Sequence, residues 1–404
     1  MLDAFSHPIS LYEALEKLQM RITGAQDWMD LMSTIAQLHE ASVLREETQN
    51  QPTLRTDPSG YDAAPIHVAM LNDRARTSSL IAGIYEVIRP GDIVVDIGSN
   101  DGTLLRQYTI PGLITVGFEP SNLYELGTEG TSRIIHDYFN HTVFKREFGT
   151  KKAKVITSIA MFYDLEDPGK FVEDTRKCLH EDGLWIIQMN YLGLMLENNS
   201  FDNISHEHLE YYSLMSLEYL LGRHDMEVFD VELNDVNGGS FRVFVRHRTS
   251  ELKASAGSEE RLRALRAHEK EMALDRVETY DAFATRINAA KSRVLDFLKH
   301  ENEKGKTIFI YGASTRGLVV LQYFGIDSRL IKGAADKNPD KWGKYIVGTG
   351  IPIMSVDEYR KRKPDYLLVL PYHFLKEIEE QEKAFLELGG KMIVTIPDFK
   401  VVCK

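Results

Sequence analysis

Cysteine is scarce in this chain of 404 residues, which contains only Cys178 and Cys403. Two cysteines so far apart support neither a disulfide framework nor a cysteine-ligated zinc site. Positive charge is also in deficit, because 48 basic residues face 60 acidic ones and the net charge is −12. Nucleic acid would find no basic footprint on this protein, so it is not an expected partner.

Long apolar runs are missing as well, and none approaches the roughly 20 residues that a membrane span needs. The first residues carry Asp3, Glu13, Glu16 and Lys17 among their apolar neighbours. They therefore lack the basic segment followed by an apolar one that marks a secretory signal. We expect a cytoplasmic protein with no membrane partner.

What the chain does contain is the composition of a soluble globular protein, with 43% hydrophobic and 27% charged residues. Its length suffices for two or three domains. Apolar residues at helical spacing predict a helical region over residues 1–75, with a proline-rich break at 46–65 and a helix resuming near Ile66 and ending before Pro90.

Short β-branched segments alternate with helical ones from residue 93 onward. The predicted strands are Ile93–Ile97, Leu113–Glu119, Val155–Ser158, Leu184–Met189, Glu227–Leu233 and Ser240–Arg246. A helix over Gly169–Leu179 and a turn at Asn237-Gly238-Gly239 lie between them. This alternation predicts an α/β fold with a parallel sheet covered on both faces.

A second α/β unit begins at Thr307. Its predicted strands are Ile308–Tyr311, Leu330–Ala335, Tyr366–Leu370 and Lys391–Ile396, and a glycine turn, Gly312–Gly317, opens a helix that runs to Tyr323. This pattern predicts a second, Rossmann-like domain at the C-terminus. The charged residues 251–304 between the two units predict a solvated linker helix or a pair of helices.

The loop Asp96-Ile97-Gly98-Ser99-Asn100-Asp101-Gly102 follows the first strand and opens a helix. Glycine at 98 lets the backbone turn tightly and approach a ligand, and the helix beyond Gly102 offers free N–H groups. Glu119, at the end of the next strand, can accept hydrogen bonds from both hydroxyls of a ribose. The loop therefore predicts a nucleotide-type cofactor.

Three interpretations of this loop are open: S-adenosylmethionine, NAD or a purely architectural turn. Asp96, Asn100 and Asp101 would repel the phosphates of a dinucleotide, but they suit a cationic sulfonium and its amino-acid tail. Asp137-Tyr138-Phe139 fits the edge and face of an adenine. S-adenosylmethionine is the favoured interpretation.

About 100 residues further on, the segment Phe201–Ser213 (FDNISHEHLEYYS) concentrates histidines, carboxylates and phenols. His206 and His208 share a face only in extended backbone, and their spacing does not match the helical His-x-x-x-His of zincins. A metal site and a structural histidine pair remain alternatives. The favoured interpretation is a general base whose pKa and tautomer are set by the neighbouring Glu207; Tyr211 and Tyr212 can equally serve in core contacts.

Four ordered segments resemble the sugar C-methyltransferase family, in particular the enzymes that use S-adenosylmethionine to methylate C3 of nucleotide-linked 4-keto-6-deoxy sugars. The segments are Asp96–Leu105, Phe201–Ser213, Asn237–Phe244 and a C-terminal set comprising Tyr311–Gly317, Asp336–Gly343, Gly350–Ile353 and Leu370–Phe374. The resemblance covers the chain from about residue 65 to the end.

The residue pattern predicts a helical N-terminal region (1–75) and a charged helical linker (251–304). The resemblance implies that residues 76–250 form an S-adenosylmethionine-binding class I methyltransferase domain and that residues 305–404 form a Rossmann-like substrate-binding domain. It implies that His208 removes the proton next to a ketone. The enolate carbon that results would take the methyl group.

Two departures from the family pattern affect these expectations. The family carries an N-terminal zinc module with two Cys-x-x-Cys pairs, whereas residues 1–75 contain no cysteine, so no zinc is expected. Ser205 stands where the family has a tyrosine before His-Glu-His, and Ile159–Asp164 lacks the usual asparagine and histidine. O- or N-methylation of a nucleotide sugar or related metabolite is the alternative, and a non-catalytic nucleotide-sugar binding protein is a further one.

The site prediction names His208 as base, Glu207 as its electrostatic partner, and His206 and Tyr212 as supporting groups. The predicted cofactor contacts are Asp96, Gly98, Ser99, Asn100, Asp101, Gly102, Glu119, Pro120, Asp137, Tyr138, Phe139 and Ser158. The predicted substrate contacts are Asn190, Tyr191, Ser205, Asn237, Gly238, Tyr311, Arg316, Lys341 and Tyr372. The expected partner is a nucleotide sugar from deoxysugar biosynthesis, and the expected assembly is a monomer or homodimer.

Overall fold

A computed structural model describes Ile84 and residues 87–403 of the chain. The predicted helical region over 1–75, with its expected lack of zinc, and most of the helix expected from Ile66 lie outside these residues. Within the described part, no helix is both long and apolar enough to cross a membrane.

The first sheet has seven strands in the order β3-β2-β1-β4-β5-β7-β6. They are β1 Ile93–Ile97, β2 Ile114–Phe118, β3 Arg133–Ile135, β4 Ala153–Ile159, β5 Leu179–Asn190, β6 Met226–Asn234 and β7 Ser240–His247. Strands β1 to β5 pair in parallel, while β7 runs antiparallel to both β5 and β6. The prediction of a largely parallel α/β sheet is confirmed.

Helices connect these strands and cover the sheet. They are α1 Thr103–Arg106, α2 His141–Phe148, α3 Pro168–Cys178, α4 Leu192–Glu197 and α5 Leu214–Gly222, with short 3-10 turns at Asn122–Glu125, Phe162–Asp164, Phe201–Asn203 and Val236–Gly238. The strands are buried because their side chains are apolar on both faces, as in β1, where all five residues are buried. Trp185 and Phe162 lie at the centre of this core.

The segment 251–304 forms two helices, α6 Ser258–Glu271 and α7 Val277–Glu303. The expectation of a merely solvated linker is wrong for α7. Its residues Phe283, Ile287, Val294 and Leu298 recur at helical spacing and are buried in the core of the second sheet.

The second sheet also has seven strands, in the order β10-β11-β9-β8-β12-β13-β14. They are β8 Ile308–Tyr311, β9 Ala334–Ala335, β10 Tyr345–Ile346, β11 Ile351–Met354, β12 Tyr366–Val369, β13 Lys391–Val394 and β14 Lys400–Val402. The helices are α8 Thr315–Phe324, α9 Val356–Arg362, α10 Leu375–Gln381 and α11 Lys383–Glu387, with 3-10 turns at Pro339–Lys341 and Tyr372–Phe374.

The second unit is Rossmann-like, as predicted, although the strand expected over Leu330–Ala335 shortens to the two residues of β9. In both sheets the chain order reverses beside a central strand, next to β1 in the first sheet and next to β8 in the second. Such a reversal opens a crevice at the carboxyl ends of the strands, where α/β proteins bind ligands. We call these the first crevice and the second crevice.

Candidate active site

The first crevice begins with the glycine turn after β1. Gly98 has a φ of +71°, in the left-handed region, and Gly102 has a φ of +76° just before α1. The N–H groups of Gly98 and Ser99 donate to the carbonyl of Phe118, which ties the turn to the end of β2. A Cβ on Gly98 would meet only Met161, at 3.8 Å, so the crevice side of the turn is open.

Asp96 lies at the end of β1 and is 5% exposed. Its Oδ1 accepts a hydrogen bond of 2.6 Å from the hydroxyl of Thr157 on the neighbouring strand β4. Burial, opposed by this hydrogen bond and reinforced by the charges of Glu119 and Asp101, raises the pKa of Asp96 to about 7. A buried acid in this state favours a cationic ligand.

Glu119 follows β2 and is also 5% exposed. Its two oxygens accept the N–H groups of Asn100 at 2.8 Å and Ser121 at 2.9 Å. The carboxylate therefore holds the glycine turn in place, and its remaining lone pairs can accept from hydroxyl groups. This is the position that the sequence predicts for a ribose-binding acid.

The remaining predicted cofactor residues differ in their surroundings. Asp101 accepts from the N–H and hydroxyl of Thr103 and thus begins α1. Tyr138 is 75% exposed, and the carbonyl of Pro120 is 3.0 Å from Nε2 of His136. Asn100, Pro120, Asp137 and Tyr138 are at least partly exposed in the segments that follow β1, β2 and β3, and their contact with a cofactor stays a prediction.

Two of these residues point into the protein instead. Phe139 packs edge-on against Phe118 with ring centroids 5.1 Å apart. Ser158 is completely buried and accepts a hydrogen bond from the indole of Trp185. Phe139 and Ser158 are therefore engaged with the protein itself, and their contact with a cofactor stays a prediction.

The donor set fits S-adenosylmethionine. Among the described residues, no basic side chain forms an ion pair with Asp96 or Glu119, and the buried Oγ of Ser99 has no hydrogen-bond partner. A cation beside Asp96 would relieve the charge that burial penalises, and a hydroxyl or carboxylate group would satisfy Ser99. The acids would in contrast repel a diphosphate.

The segment Phe201–Ser213, which we call the catalytic loop, lies beside the 3-10 turn Phe162–Asp164 after β4. The carbonyl of Tyr163 accepts the N–H groups of both Leu209 and Glu210 at 3.0 Å. The ring of Tyr163 meets the ring of His208 edge to face, with centroids 4.6 Å apart. These contacts place His208 at the carboxyl edge of the first sheet, where the first crevice opens.

His208 is held in one tautomer. Its Nδ1 lies 2.6 Å from the carbonyl oxygen of Asn203, and because a carbonyl only accepts, Nδ1 carries the proton. Nε2 is thus the basic nitrogen. Burial lowers the pKa of His208 below its usual 6.5, and the positive charge of Arg316 adds to this effect, while the hydrogen bond to Asn203 and the charge of Glu207 oppose it.

The other predicted catalytic residues are arranged differently from the expectation. Glu207 does not set the tautomer of His208, because the carbonyl of Asn203 does so. His206 is exposed. Tyr212 is buried in the core beside Phe162, and its hydroxyl has no hydrogen-bond partner among the described residues.

The catalytic loop is joined to the second sheet by Arg316, at the start of α8. Its guanidinium contacts Oδ2 of Asp202 at 2.6 Å and 2.7 Å, the carbonyl of Asn237 at 2.7 Å and the hydroxyl of Tyr372 at 3.2 Å. Tyr372 also hydrogen-bonds Ser200 at 2.8 Å. We call this set the Arg316 cluster. Arg316 and Tyr372, predicted as substrate contacts, are therefore engaged with the protein itself.

Other predicted substrate residues are also held inside. The hydroxyl of Tyr191 donates to Glu269 of α6 at 2.9 Å, and that of Tyr311 donates to Gln381 at 3.2 Å. Lys341 contacts the carbonyl of Ala313 at 3.0 Å and Asp336 at 3.3 Å. Tyr191 and Tyr311 are 1% and 5% exposed, so both are engaged with the protein itself, and their contact with a substrate stays a prediction.

Asn190, Ser205 and Gly238 remain near the catalytic loop. The Nδ2 of Asn190 donates to Oδ1 of Asn203 at 2.9 Å, and the Oδ1 of Asn190 is buried without a partner in the described part of the chain. Gly238, at φ +86°, approaches Tyr372 so closely that a Cβ would lie 2.5 Å from its hydroxyl. Their substrate contacts stay predictions.

The sequence reasoning missed Asp164, Asp202 and Glu269. Asp164 follows β4 at the carboxyl edge of the sheet, so the rule that α/β sites lie at this edge could have found it. Asp202 stands inside the catalytic loop, but its partner is 114 residues away. Glu269 is 4% exposed and accepts from Tyr191, Leu214 and Met215; its helix carries so many charges that a buried one has no distinct signal.

Comparison with known proteins agrees with this geometry. The family model for a methyltransferase domain matches residues 71–231, and that for a C-methyltransferase C-terminal domain matches residues 235–397. The C-methyltransferase NovU of Streptomyces niveus is 33% identical over 315 residues, which cover 77% of this chain and 74% of that protein. The chain belongs to the C-methyltransferase family. It is an S-adenosylmethionine-dependent methyltransferase, as the motifs predicted.

Solved structures are more distant. A methyltransferase from Clostridium acetobutylicum is 14% identical, with a TM-score of 0.34 over 45% of this chain and 97% of that one. The magnesium protoporphyrin IX methyltransferase of Synechocystis is 11% identical, with a TM-score of 0.35 over 49% of this chain and 90% of that one. Scores this low carry no argument about substrate.

Proposed function

We propose that this methyltransferase transfers its methyl group to carbon, next to the ketone of a nucleotide-linked keto-deoxy sugar. The observation that carries the proposal is the state of His208. Its Nδ1–H is fixed on the carbonyl of Asn203, and burial favours the neutral ring. A neutral imidazole with an available Nε2 can remove a weakly acidic proton at neutral pH.

S-adenosylmethionine, when bound, supplies an electrophilic methyl group on a cationic sulfur. Asp96, Ser99 and Glu119 are the residues that would hold it, beside the Gly98 turn. His208 then takes the proton from the carbon next to the ketone, and the electron pair left behind is delocalised onto the ketone oxygen. That carbon becomes nucleophilic and can attack the methyl group.

The same proposal assigns a different ligand to each of the two sheets. Residues 76–250 would bind the cofactor and residues 305–404 would bind the nucleotide part of the substrate, with 251–304 joining them. The Arg316 cluster supports this division, because it connects the second sheet directly to the catalytic loop. We propose a cytoplasmic enzyme of deoxysugar biosynthesis.

Ser205 favours a second candidate. A phenol beside the reacting ketone is the family feature that this position lacks, so methylation of a hydroxyl or amine on a related metabolite is the alternative. Hydrogen exchange separates the two: only an enzyme that deprotonates carbon exchanges the α-proton of a keto sugar for solvent deuterium when the methyl donor is left out.

The decisive experiment is mass spectrometry of methyl transfer across a panel of nucleotide keto sugars and their reduced, hydroxyl counterparts. Methylation of a keto sugar, together with deuterium exchange, supports the proposal. Replacing His208 by Asn should slow both reactions about 10²–10⁴-fold. His300→Asn is the matched control, because His300 is exposed on α7. Equal rates for the two variants would remove His208 from the mechanism.

A further inference from the structure

Asp164 is a carboxyl group at the catalytic loop that the mechanism above does not use. It ends the 3-10 turn Phe162–Asp164, which follows β4 at the carboxyl edge of the first sheet. Strand β4 is the neighbour of β1 across the first crevice. Met161, the residue just before the turn, is the neighbour that a Cβ on Gly98 would meet, so the turn borders the first crevice next to the Gly98 turn.

The turn and the catalytic loop are built as one unit. The N–H of Leu209 and the N–H of Glu210 each donate to the carbonyl of Tyr163, and the ring of Tyr163 contacts His208. Asp164, the next residue, is close enough to Glu207 and Tyr211 of the same loop for their charges to interact. Its carboxyl group thus shares the surroundings of His208.

One oxygen of this carboxyl group is unsatisfied. The Oδ1 atom of Asp164 is buried and has no hydrogen-bond partner among the described residues. Buried polar atoms in folded proteins nearly always have a partner, and one that lacks it beside a base is a place where a ligand atom belongs. The two nearest acidic groups, Asp164 and Glu207, disfavour being charged together.

We propose that Asp164, in its protonated form, donates a hydrogen bond and then a proton to the ketone oxygen of the substrate while His208 removes the α-proton. The inference rests on the proposed function and assigns the acid of the same site. It places a carboxylic acid where Ser205 leaves no phenol to polarise the ketone.

The step balances in atoms and electrons. The α C–H bond breaks, its proton goes to Nε2 of His208, and its electron pair forms the C=C bond of the enol. The π pair of the ketone takes the proton of Asp164, which becomes a carboxylate. The carbon then forms its bond to the methyl group as the methyl–sulfur bond breaks, and the electron pair of that bond stays on the sulfur, which becomes a neutral thioether. The C=O bond re-forms, the enol proton returns to Asp164, and His208 loses its proton to solvent.

The protonation states required are compatible. Burial, and to a smaller extent the charge of Glu207, raises the pKa of Asp164 to about 7. The pKa of His208 lies below 6.5 because of burial and Arg316. The titratable groups of the catalytic loop that interact with Asp164 are Glu207 and Tyr211. A neutral base and a protonated acid therefore coexist just below pH 7, which predicts a bell-shaped rate profile.

The test is the pH profile of kcat and of solvent deuterium exchange for Asp164→Asn and Asp164→Ala, on whichever nucleotide keto sugar the wild-type enzyme methylates. Asp164→Asn keeps an N–H donor but cannot transfer a proton. We expect it to lose the alkaline limb near pH 7 and about 10-fold in kcat, and Asp164→Ala to lose about 10²–10³-fold. Glu166→Gln, on an exposed neighbour, should change neither.

A third variant tests whether the alkaline limb belongs to Asp164, independently of any effect on folding. Glu207→Gln removes the negative charge beside Asp164, so the alkaline limb should move to lower pH. The inference is overturned if Asp164→Asn retains the wild-type alkaline limb, or if Asp164→Ala exchanges deuterium at the wild-type rate; the proposed function would survive both results. If the wild-type enzyme neither methylates nor exchanges any keto sugar, the proposed function itself fails and the role of Asp164 falls with it.

Discussion

The first and second crevices share one architecture but differ in what fills them. Each has a glycine turn with positive φ after a central strand, at Gly98 (φ +71°) and Gly312 (φ +84°). A Cβ on Gly98 would meet only Met161, at 3.8 Å, whereas a Cβ on Gly312 would lie 2.9 Å from Pro371. The first turn is open toward a ligand, and the second is closed by the protein.

The two crevices also differ in whether their acidic side chains have basic partners. Asp336 follows β9 as Glu119 follows β2, and both accept the N–H of a residue in their glycine turn. Asp336, however, is paired with Lys341 at 3.3 Å. Among the described residues neither Asp96 nor Glu119 has such a basic partner. The acids of the first crevice are thus left available for a cationic ligand, whereas the acid of the second crevice is used in contacts within the protein.

The largest expected effect comes from breaking the contact that makes the second crevice structural. Arg316→Ala would leave Asp202, whose side chain is 2% exposed, without its charge partner. Removing one partner of a buried ion pair costs about 3–5 kcal/mol, and the lower half of this range applies because Arg316 is 20% exposed. Urea unfolding measures it. Methyl transfer should fall as well, because Asp202 adjoins Asn203, which holds His208.

Arg329→Ala is the control for this prediction, since Arg329 pairs with Asp327 on the surface with 85% of its side chain exposed. It should leave the unfolding midpoint unchanged. Equal midpoints for the two variants would show that the Arg316 cluster does not hold the two halves together.

Asp96→Asn should raise the stability of the protein above neutral pH and weaken its affinity for S-adenosylmethionine. Because the folded pKa of Asp96 is about 7 and its ordinary value is 3.8, the folded state binds the proton more tightly. Stability without cofactor should therefore fall as pH rises from about 4 to about 7 and stay level above, by up to about 4 kcal/mol. The variant should lack this decline and be more stable than the wild type at pH 8.

Cofactor binding supplies the second readout for Asp96. The carboxylate is the form that attracts a cation, so the affinity for S-adenosylmethionine should rise through pH 7 in the wild type and be weak and pH-independent in Asp96→Asn. Calorimetry checks this, with Asp340→Asn on the exposed turn of the second crevice as a control that keeps the wild-type profile. An unchanged pH dependence in Asp96→Asn would contradict the role of Asp96.

Replacing glycine by alanine in each of the two turns tests whether the space beside Gly312 is filled by the protein while the space beside Gly98 is open. A left-handed φ costs an alanine about 1–2 kcal/mol at either position. Gly312→Ala adds overpacking against Pro371, which costs typically about 1–3 kcal/mol more. Gly98→Ala should instead lose cofactor affinity while remaining the more stable variant. Thermal unfolding and cofactor titration of both variants decide it, and equal loss of stability would mean that the second turn is no more tightly closed than the first.

Much of this comparison could be predicted from the sequence, but unevenly. The strands β1, β4 and β5 are apolar runs that end near glycine or polar residues. Strand β1 was therefore predicted at its observed bounds, but β4 and β5 extend beyond the predicted Val155–Ser158 and Leu184–Met189. The strands β9 and β10 are two residues long, so periodicity cannot define their bounds. The strand over β9 was predicted too long and β10 was missed, because hydrophobic pattern detects a long strand better than a short one.

The candidate site was predictable where function and local sequence coincide. The loop 96–102 and the catalytic loop are continuous segments, so their residue types stand out in the sequence. The Asp202–Arg316 pair joins residues 114 positions apart, and Tyr191 meets Glu269 across 78 positions. Only the tertiary fold decides which polar groups are consumed by such contacts, so the sequence overestimates how many remain for substrate.

Neutralising the matched acids of the two crevices, Glu119 and Asp336, gives the last comparison. Glu119→Gln and Asp336→Asn each leave one backbone N–H without its charged acceptor, and a hydrogen bond to a charged group is worth about 1.5–3 kcal/mol. Both variants should therefore lose similar stability in urea unfolding. Only Glu119→Gln should also weaken S-adenosylmethionine binding, by about 10–100-fold in calorimetry, because only the first crevice is open to a cofactor. If Asp336→Asn weakened cofactor binding equally, the second crevice would be a cofactor site too, and its closure by Pro371 and Lys341 would need to open in solution.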